Sequence, residues 1–65
     1  MRILLNGKAA EIEAATLAMA LAELGYDDRL VATALNRDFV PADERAATIL
    51  NEGDRIEVLS PMQGG

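Results

Sequence analysis

The sequence contains no cysteine, no histidine and no tryptophan, and its aromatic residues are one tyrosine, Tyr26, and one phenylalanine, Phe39. Without cysteine there is no disulfide framework, and without cysteine and histidine the usual ligands of a structural zinc site are missing. The same absences exclude Ser-His-Asp triads and Cys-His nucleophile pairs. A fold of this size is therefore expected to be stabilised without disulfides and without structural zinc.

Long apolar runs and an excess of positive charge are also lacking. No apolar run approaches the ~20 residues that span a bilayer, and the stretch from Met1 to Asn6 is too short for a secretory signal. Lys and Arg number 6 against 11 Asp and Glu, which gives a net charge of −5. Because an acidic surface repels phosphates and anionic lipids, we expect no nucleic-acid and no membrane partner. A cytoplasmic protein with a basic protein partner is favoured instead.

What is present is one small domain of 65 residues, of which 51% are hydrophobic. At its start, Asn6-Gly7 separates two short runs, Met1–Leu5 and Lys8–Glu13. Asn-Gly between two such runs indicates a type I′ turn, in which both central residues have positive φ. The first two elements are therefore predicted to be an antiparallel β-hairpin.

A helix is predicted next, over Leu17–Leu24. Thr16 is a typical N-cap, because its hydroxyl can accept from a free amide of the first turn, and Gly25 suits the left-handed residue that follows a helix. An apolar stripe at helical spacing consists of Leu17, Ala20, Leu21 and Leu24. Eight residues are too few for a stable isolated helix, so this stripe is expected to dock on a sheet.

The second half of the chain supplies the remaining strands. The predicted elements are a strand over Leu30–Leu35, a short segment Phe39–Val40, a helical turn over Ala42–Ala47 and a last strand over Arg55–Leu59. This order predicts an α+β fold of the ubiquitin-like β-grasp type: a mixed sheet of four to five strands with one main helix packed across one face. The domain is expected to span residues 1–59, with a flexible C-terminal diglycine tail at 60–65.

The last six residues are the strongest candidate for a functional segment. Pro61 is expected to end the strand, and six extended residues reach about 20 Å, enough to enter the active site of another protein. Gly64 and Gly65 have no Cβ, so this backbone can pass a narrow constriction. The reactive group is then the α-carboxylate of Gly65, with an ordinary pKa of about 3.5. Glycines also occur at termini without any function.

Several short motifs, taken in order along nearly the whole chain, resemble the sulfur carrier proteins of thiamine biosynthesis, the ThiS type. They are Ile3-Leu4-Leu5-Asn6-Gly7, Thr16-Leu17, Val31-Ala32-Thr33-Ala34-Leu35-Asn36, Val40-Pro41, Gly53-Asp54-Arg55-Ile56-Glu57-Val58 and Pro61-Met62-Gln63-Gly64-Gly65. The chain departs from the family pattern at 42–46, where members often carry a basic residue and then an aromatic one.

The resemblance implies a carrier that is a substrate of enzymes, with no catalytic residues, no metal ligands and no cofactor of its own. A ThiF-like (E1-like) adenylyltransferase would use ATP and Mg²⁺ to adenylate Gly65. Sulfur from a cysteine desulfurase or another persulfide donor would convert this group to a thiocarboxylate, and thiazole synthase would receive the sulfur. In this view Gly65 carries the sulfur, and Gly64, Gln63 and Met62 give the tail access to the partner's active site.

Two leucines are candidates for partner docking. Side chains alternate between the two faces of a strand, and Leu4 and Leu59 alternate with the apolar residues that are predicted to face the helix. Both leucines are therefore expected on the sheet face that the helix leaves open. An apolar patch there suits a docking surface. Equally open are ordinary surface leucines or burial under 42–47.

Other functions remain open at this stage. The nearest is another diglycine sulfur carrier of the molybdopterin synthase small-subunit type, for which this chain is short. A different class is a non-covalent β-grasp interaction module with an inert tail. An autonomous enzyme is disfavoured, because a chain of this size and pattern is not expected to enclose a substrate cleft.

Overall fold

The computed structural model describes residues 1–60 of the chain. The described elements, in chain order, are β1 (Arg2–Leu5), β2 (Lys8–Glu11), α1 (Leu17–Glu23), β3 (Ala32–Leu35), β4 (Asp38–Val40), a 3-10 helix (Ala42–Ala47) and β5 (Arg55–Leu59). No helix within residues 1–60 is both long enough and apolar enough to cross a bilayer.

The five strands form one mixed sheet in the order β2-β1-β5-β3-β4. β5 is the central strand: it runs parallel to β1 on one side and antiparallel to β3 on the other. The two hairpins, β1-β2 and β3-β4, lie on either side of it. The predicted mixed sheet with one helix is confirmed, and the last strand of the chain lies at its centre.

The turn between β1 and β2 is the predicted type I′ turn. Asn6 has φ 49° and Gly7 has φ 85°, so both central residues are in the left-handed region. The two central residues of the turn between β3 and β4 also have positive φ, 51° at Asn36 and 76° at Arg37. Asparagine adopts this conformation more readily than most residues, which explains its place as the first central residue in both hairpins.

Helix α1 begins and ends close to the predicted residues. The Thr16 hydroxyl accepts from the Met19 amide at 3.2 Å, and Gly25 follows the helix with φ 87°. The helix ends at Glu23, one residue before the predicted end. The predicted apolar stripe is confirmed, since Leu17, Ala20 and Leu21 are fully buried and Leu24 packs against them.

Strand β3 begins at Ala32, two residues later than predicted, because its preceding residues bond elsewhere. The Leu30 amide donates to the Asp27 carbonyl at 3.0 Å in a turn, and the Val31 carbonyl accepts from the Arg45 guanidinium at 2.8 Å. Arg45 is itself buried, with 4% of its surface exposed. A long-range contact from the 3-10 helix therefore replaces strand pairing at this point.

Strand β2 ends at Glu11, two residues earlier than predicted, because the chain turns toward the helix. The Glu23 carboxylate accepts from the Glu13 amide at 3.0 and 3.1 Å and from the Ala14 amide at 2.9 Å. These bonds hold the connection between β2 and α1 against the last turn of the helix.

The hydrophobic core lies between α1 and the sheet face that it covers. Its members come from the strands, the helix and the connections: Ile3, Ile12, Ala14, Leu17, Ala20, Leu21, Val40, Leu50, Ile56 and Val58. The 3-10 helix packs beside α1. The opposite face of the sheet has no helix among residues 1–60 to cover it.

Candidate functional site

The site predicted at the end of the chain continues directly from the central strand. The predicted sulfur-carrying residue and the three before it lie outside the described residues; they are Gly65, Gly64, Gln63 and Met62. The structure describes the strand that leads to them. β5 spans Arg55–Leu59 as predicted, with Ile56 and Val58 buried on the covered face and Leu59 71% exposed on the open face.

A groove of about 260 Å³ lies on the open face beside the end of β5. We call it the open-face groove. It is lined by residues from the first hairpin turn and from β3, β4 and β5: Asn6, Ala32, Thr33, Ala34, Phe39, Glu57, Val58 and Leu59. The groove is mostly apolar, and it includes Val58 and Leu59, the last two residues of β5 before the chain leaves the sheet.

The register of three strands builds this groove. Ala34 on β3 lies between Phe39 on β4 and Glu57 on β5, and Ala32 lies opposite Leu59. Directly opposed residues point to the same face of a sheet, with Cβ atoms about 5 Å apart. The two alanines therefore form a shallow floor, and the larger side chains at either side form the walls.

Phe39 is the part of this site that sequence reasoning missed. It is 68% exposed on the edge strand, although it is the one phenylalanine of the chain. The available signal is alternation, because the next residue, Val40, is buried and its neighbour must face the other way. Phe39 and the exposed Leu59 line the same groove from opposite sides, and exposed aromatic and apolar side chains of this kind are typical of protein–protein contacts.

The two predicted docking leucines do not come together. Leu4 is half-buried on β1 and lies opposite Arg55 in the parallel pair, at the beginning of β5. Leu59 lies four positions further along, at the other end of β5, which places it about 13 Å from Leu4 in the direction of the strand. Leu59 lines the open-face groove and Leu4 does not. The exposure of Leu59 also shows that residues 42–47 do not bury it.

Glu57 is the one charged residue among the eight that line the groove. Within residues 1–60, no cationic side chain lies within 4.0 Å of its carboxylate. A carboxylate on an apolar surface favours a partner that brings a positive charge to this position. The net charge of −5 acts in the same direction.

Two other acidic residues, Glu52 and Asp54, bond within and around the turn before β5. The Asp54 carboxylate accepts from the Asn51 amide at 2.7 Å and from the Asn36 side chain at 3.1 Å, and Glu52 accepts from the Arg2 amide at 3.1 Å. Within the described part of the chain, no three acidic side chains are close enough together to hold a metal ion. These carboxylates stabilise connections between strands.

Asp27 forms an exposed ion pair with Arg29 at 3.1 Å. The hydrogen bonds from the Arg29 side chain and backbone lower the pKa of Asp27 below its ordinary value of 3.8. The same pairing raises the pKa of Arg29. Because both groups are exposed, solvent screens the pair and its contribution to stability is small.

A five-stranded mixed sheet with the last strand at its centre and one helix across one face defines the ubiquitin-like β-grasp class. In the sequence, Ser60-Pro61-Met62-Gln63-Gly64-Gly65 follows this last strand. A family model described as the ThiS family matches residues 3–65, so the chain belongs to the ThiS family.

Two curated relatives match the chain. It is 38% identical over 61 residues to the sulfur carrier protein ThiS of Thermus thermophilus, with 94% of this chain and 95% of that protein covered. It is 35% identical over 66 residues to a thiazole synthase of Paramagnetospirillum magneticum. That match covers the whole of this chain but only 20% of the thiazole synthase, so the chain spans about a fifth of the length of this relative.

Solved structures agree with the fold. The crystal structure of the thiamine biosynthesis protein ThiS from Geobacter metallireducens is similar to the chain with a TM-score of 0.83 and 28% identity, and the match covers 100% of both chains. A solution structure of a thiamine biosynthesis protein from the same organism has a TM-score of 0.81, with 88% of that chain covered.

Proposed function

We propose that this protein is a sulfur carrier of thiamine biosynthesis, a substrate of enzymes rather than a catalyst. The observation that carries the proposal is the position of β5. The central strand runs along an apolar groove, and in the sequence Ser60-Pro61-Met62-Gln63 separates its last residue, Leu59, from Gly64 and Gly65. Membership of the ThiS family and the name of the Thermus relative support the same function.

In the first step, the α-carboxylate of Gly65 attacks the α-phosphorus of ATP in the active site of a ThiF-like adenylyltransferase. A bond forms between the carboxylate oxygen and phosphorus, and pyrophosphate leaves. Mg²⁺ bound by that enzyme neutralises the phosphate charge. The carboxylate, which is ionised and unreactive at neutral pH, becomes a mixed anhydride with AMP as a good leaving group.

In the second step, the terminal sulfur of a persulfide, supplied by a cysteine desulfurase or another donor, attacks the acyl carbon. The bond to AMP breaks, and an acyl disulfide forms. A thiol then cleaves the sulfur–sulfur bond, so that the thiol is oxidised to a disulfide and Gly65 keeps a thiocarboxylate. Gly64, Gln63 and Met62 give the reacting end its access, because a segment with two glycines fits a narrow channel.

We assign the open-face groove to the ThiF-like enzyme. The enzyme that binds Gly65 must lie at the end of β5, and six residues from Ser60 onward reach only about 20 Å from the sheet. Phe39 and Leu59 are the exposed apolar anchors, and Glu57 favours a cationic group on the partner. The partner surface that fits this groove is therefore an apolar side chain beside a lysine or arginine.

Leu4 is outside this groove and contributes at most to the rim of the interface. Its half-buried position near the beginning of β5 is about 13 Å from Leu59 along the strand. The prediction of two docking leucines thus becomes a proposal of one, Leu59, together with Phe39.

Thiazole synthase is the acceptor that we propose for the sulfur. In support, a thiazole synthase of P. magneticum contains a segment 35% identical to this entire chain. Transfer of the sulfur to the growing thiazole returns a carboxylate at Gly65, so that the carrier can be used again. We place these reactions in the cytoplasm, where ATP is available.

The test is an intact mass measurement. The purified chain is incubated with a ThiF-like enzyme, MgATP, a persulfide donor and a thiol. The expected product has one oxygen replaced by sulfur, and fragment ions place the change at Gly65. Controls are a chain lacking Gly65 and a chain amidated at its C-terminus, neither of which is expected to react. The ThiS relative from Thermus, treated in parallel, shows that the enzyme mixture is active.

If the relative is converted and this chain is not, the proposed function is wrong. If the chain lacking Gly65 is converted as well, the carrier function stands but the site is elsewhere. A stable non-covalent complex without any mass change supports the alternative of an interaction module.

A further inference from the structure

Asn6 makes an unusual contact for a hairpin turn residue, because its side chain bonds to a strand outside its own hairpin. Its carboxamide oxygen accepts from the Val58 amide at 2.9 Å, and its carboxamide nitrogen donates to the Val58 carbonyl at 3.4 Å. Its own backbone amide donates to the Ile56 carbonyl at 2.9 Å. Both polar backbone groups of Val58 are therefore bonded to one side chain.

These contacts extend the sheet beyond the end of β1. Backbone pairing between β1 and β5 ends at Leu5 and Ile56, two residues before Val58. From there on, β5 has no backbone neighbour on this side among residues 1–60. The Asn6 carboxamide offers the same donor and acceptor as a peptide group, so it pairs with Val58 as the next strand residue would.

The turn conformation makes this contact possible. Asn6 has φ 49°, a left-handed conformation that asparagine and glycine adopt more readily than other residues. Glycine would keep the turn but has no side chain to reach Val58. The residue type at this position therefore serves the turn and the strand end at the same time.

Asn36 makes the equivalent contact at the opposite end of β5. It is the first central residue of the second hairpin turn, with φ 51°. Its side-chain oxygen accepts from the Arg55 amide at 2.9 Å, and its backbone amide donates to the Arg55 carbonyl at 2.7 Å. β5 is thus held at both ends by an asparagine in a turn, but only Asn6 bonds to the end of β5 that leads to Ser60.

We propose that Asn6 is a positioning residue that fixes where the C-terminal segment leaves the sheet. The proposal rests on the proposed function, because it concerns delivery of Gly65 to the activating enzyme. With Asn6 present, β5 is held on this side through Val58, and the chain departs at Leu59 and Ser60. Without its side chain, the last contact of β5 with the first hairpin lies at Ile56, and Val58 and Leu59 are held by their pairing with β3 alone.

A less defined exit point lowers the fraction of bound carriers whose carboxylate reaches the reacting geometry. Small displacements of a reacting group reduce rates strongly, so we expect the kcat of adenylation to fall about tenfold. The KM for the carrier is expected to change less than kcat: Asn6 and Leu59 also line the groove, but Phe39 and the two alanines of the floor belong to β4 and β3 and stay in place.

The experiment compares Asn6→Gly with the matched control Asn36→Gly. Each variant removes the side-chain hydrogen bonds of one asparagine to β5, and the glycine that replaces it tolerates the positive φ of the turn. Amide hydrogen exchange is measured for Val58 and Arg55, and steady-state adenylation by the ThiF-like enzyme is measured with all three chains. We expect faster exchange at Val58 and a lower kcat only in Asn6→Gly, and faster exchange at Arg55 with a wild-type kcat in Asn36→Gly.

A wild-type kcat for Asn6→Gly, or an equal fall for both variants, overturns the assignment of Asn6. Failure of the wild-type chain to be adenylated at all overturns the proposed function instead, so the two outcomes are distinct. If Asn6→Gly does not fold, Asn6→Asp takes its place, since its carboxylate keeps an acceptor for the Val58 amide but replaces the donor to the Val58 carbonyl by a second acceptor. A smaller fall in kcat is then expected, and a wild-type kcat contradicts the proposal.

Discussion

The covered and open faces of the sheet differ even within a single strand. Along β5, Ile56 and Val58 are buried against the core, whereas Glu57 and Leu59 are exposed on the other side. The covered face is filled with large aliphatic side chains. On the open face, Ala32 and Ala34 of β3 form the floor of the groove, and Phe39 and Leu59 are the large apolar residues at its walls. The covered face carries the core, and we propose that the open face binds the partner, so mutations are expected to separate stability from binding.

The largest expected effect is on the covered face. Ile56 is fully buried, so Ile56→Ala is expected to lower the free energy of unfolding by about 3 kcal/mol, through lost burial and the cavity that remains. Ile56→Val is the graded control, with a loss of about 1 kcal/mol. Leu59→Ala is expected to change stability by less than about 0.5 kcal/mol. Urea denaturation measures all three, and equal losses for Ile56→Ala and Leu59→Ala would refute the separation of the faces.

A smaller loss of stability is expected from Arg45. Its guanidinium is buried and donates to the Thr33 hydroxyl at 3.0 Å and to the carbonyls of Asp28 and Val31 at 2.7 and 2.8 Å. Arg45→Met leaves these acceptors without their donor, so we expect a loss of about 2 kcal/mol. The exposed Arg55→Met is the control, with a change below about 0.5 kcal/mol.

Hydrogen exchange distinguishes the cause of that loss. If Arg45 holds the connection before β3, exchange at residues 28–33 accelerates more than exchange in β1 and β2. A variant as stable as the wild type would mean that burying the charge costs as much as its hydrogen bonds contribute.

On the open face, the expected effect is on binding and not on stability. Phe39→Ser and Leu59→Asp are each expected to weaken binding to the ThiF-like enzyme about tenfold, since central apolar anchors dominate interface energies. The free energy of unfolding of both variants is expected to lie within about 0.5 kcal/mol of the wild-type value. Met19→Ser is the matched control, because Met19 is 57% exposed on the helix. Calorimetric titration gives the affinities, and wild-type affinity for both open-face variants would count against the groove.

The smallest effect is expected at the ion pair of Asp27 and Arg29, outside both faces. Its hydrogen bonds lower the pKa of Asp27, so Arg29→Gln is expected to return this pKa toward 3.8. Because the folded pKa is the lower one, the pair's stabilisation is present above the unfolded pKa and disappears as the pH falls through the folded pKa. A pH titration followed by NMR at the Asp27 side chain measures the shift. An unchanged pKa in the variant would show that the side chain of Arg29 does not lower the pKa of Asp27.

The fold was largely predictable from local patterns. Alternation in Arg55–Leu59 predicted both ends of β5 correctly, and Asn6-Gly7 predicted the type I′ turn. The prediction of the helix is correct to within one residue, because its two cap residues, Thr16 and Gly25, are strong local signals. These features depend on residues within a few positions of one another, which is why a single sequence is sufficient for them.

Long-range contacts were not predictable in this way. Arginine is usually exposed, so nothing local indicates that Arg45 is buried and takes the carbonyl of Val31 away from the sheet. The groove depends on the register between β3, β4 and β5, which places Phe39 and Leu59 on either side of two alanines. For the same reason, the phase of the strands predicted that Leu4 and Leu59 share a face but not how far apart they lie.

The central claim is that the partner docks on the open face of the sheet, and NMR tests it most directly. The amide signals of the ¹⁵N-labelled chain are followed while unlabelled ThiF-like enzyme is added. We predict shifts or broadening first at residues 32–34, 39 and 57–59, with the signals of helix α1 at 17–23 affected least. Changes concentrated on α1 and the 3-10 helix, with 57–59 unaffected, would contradict the account.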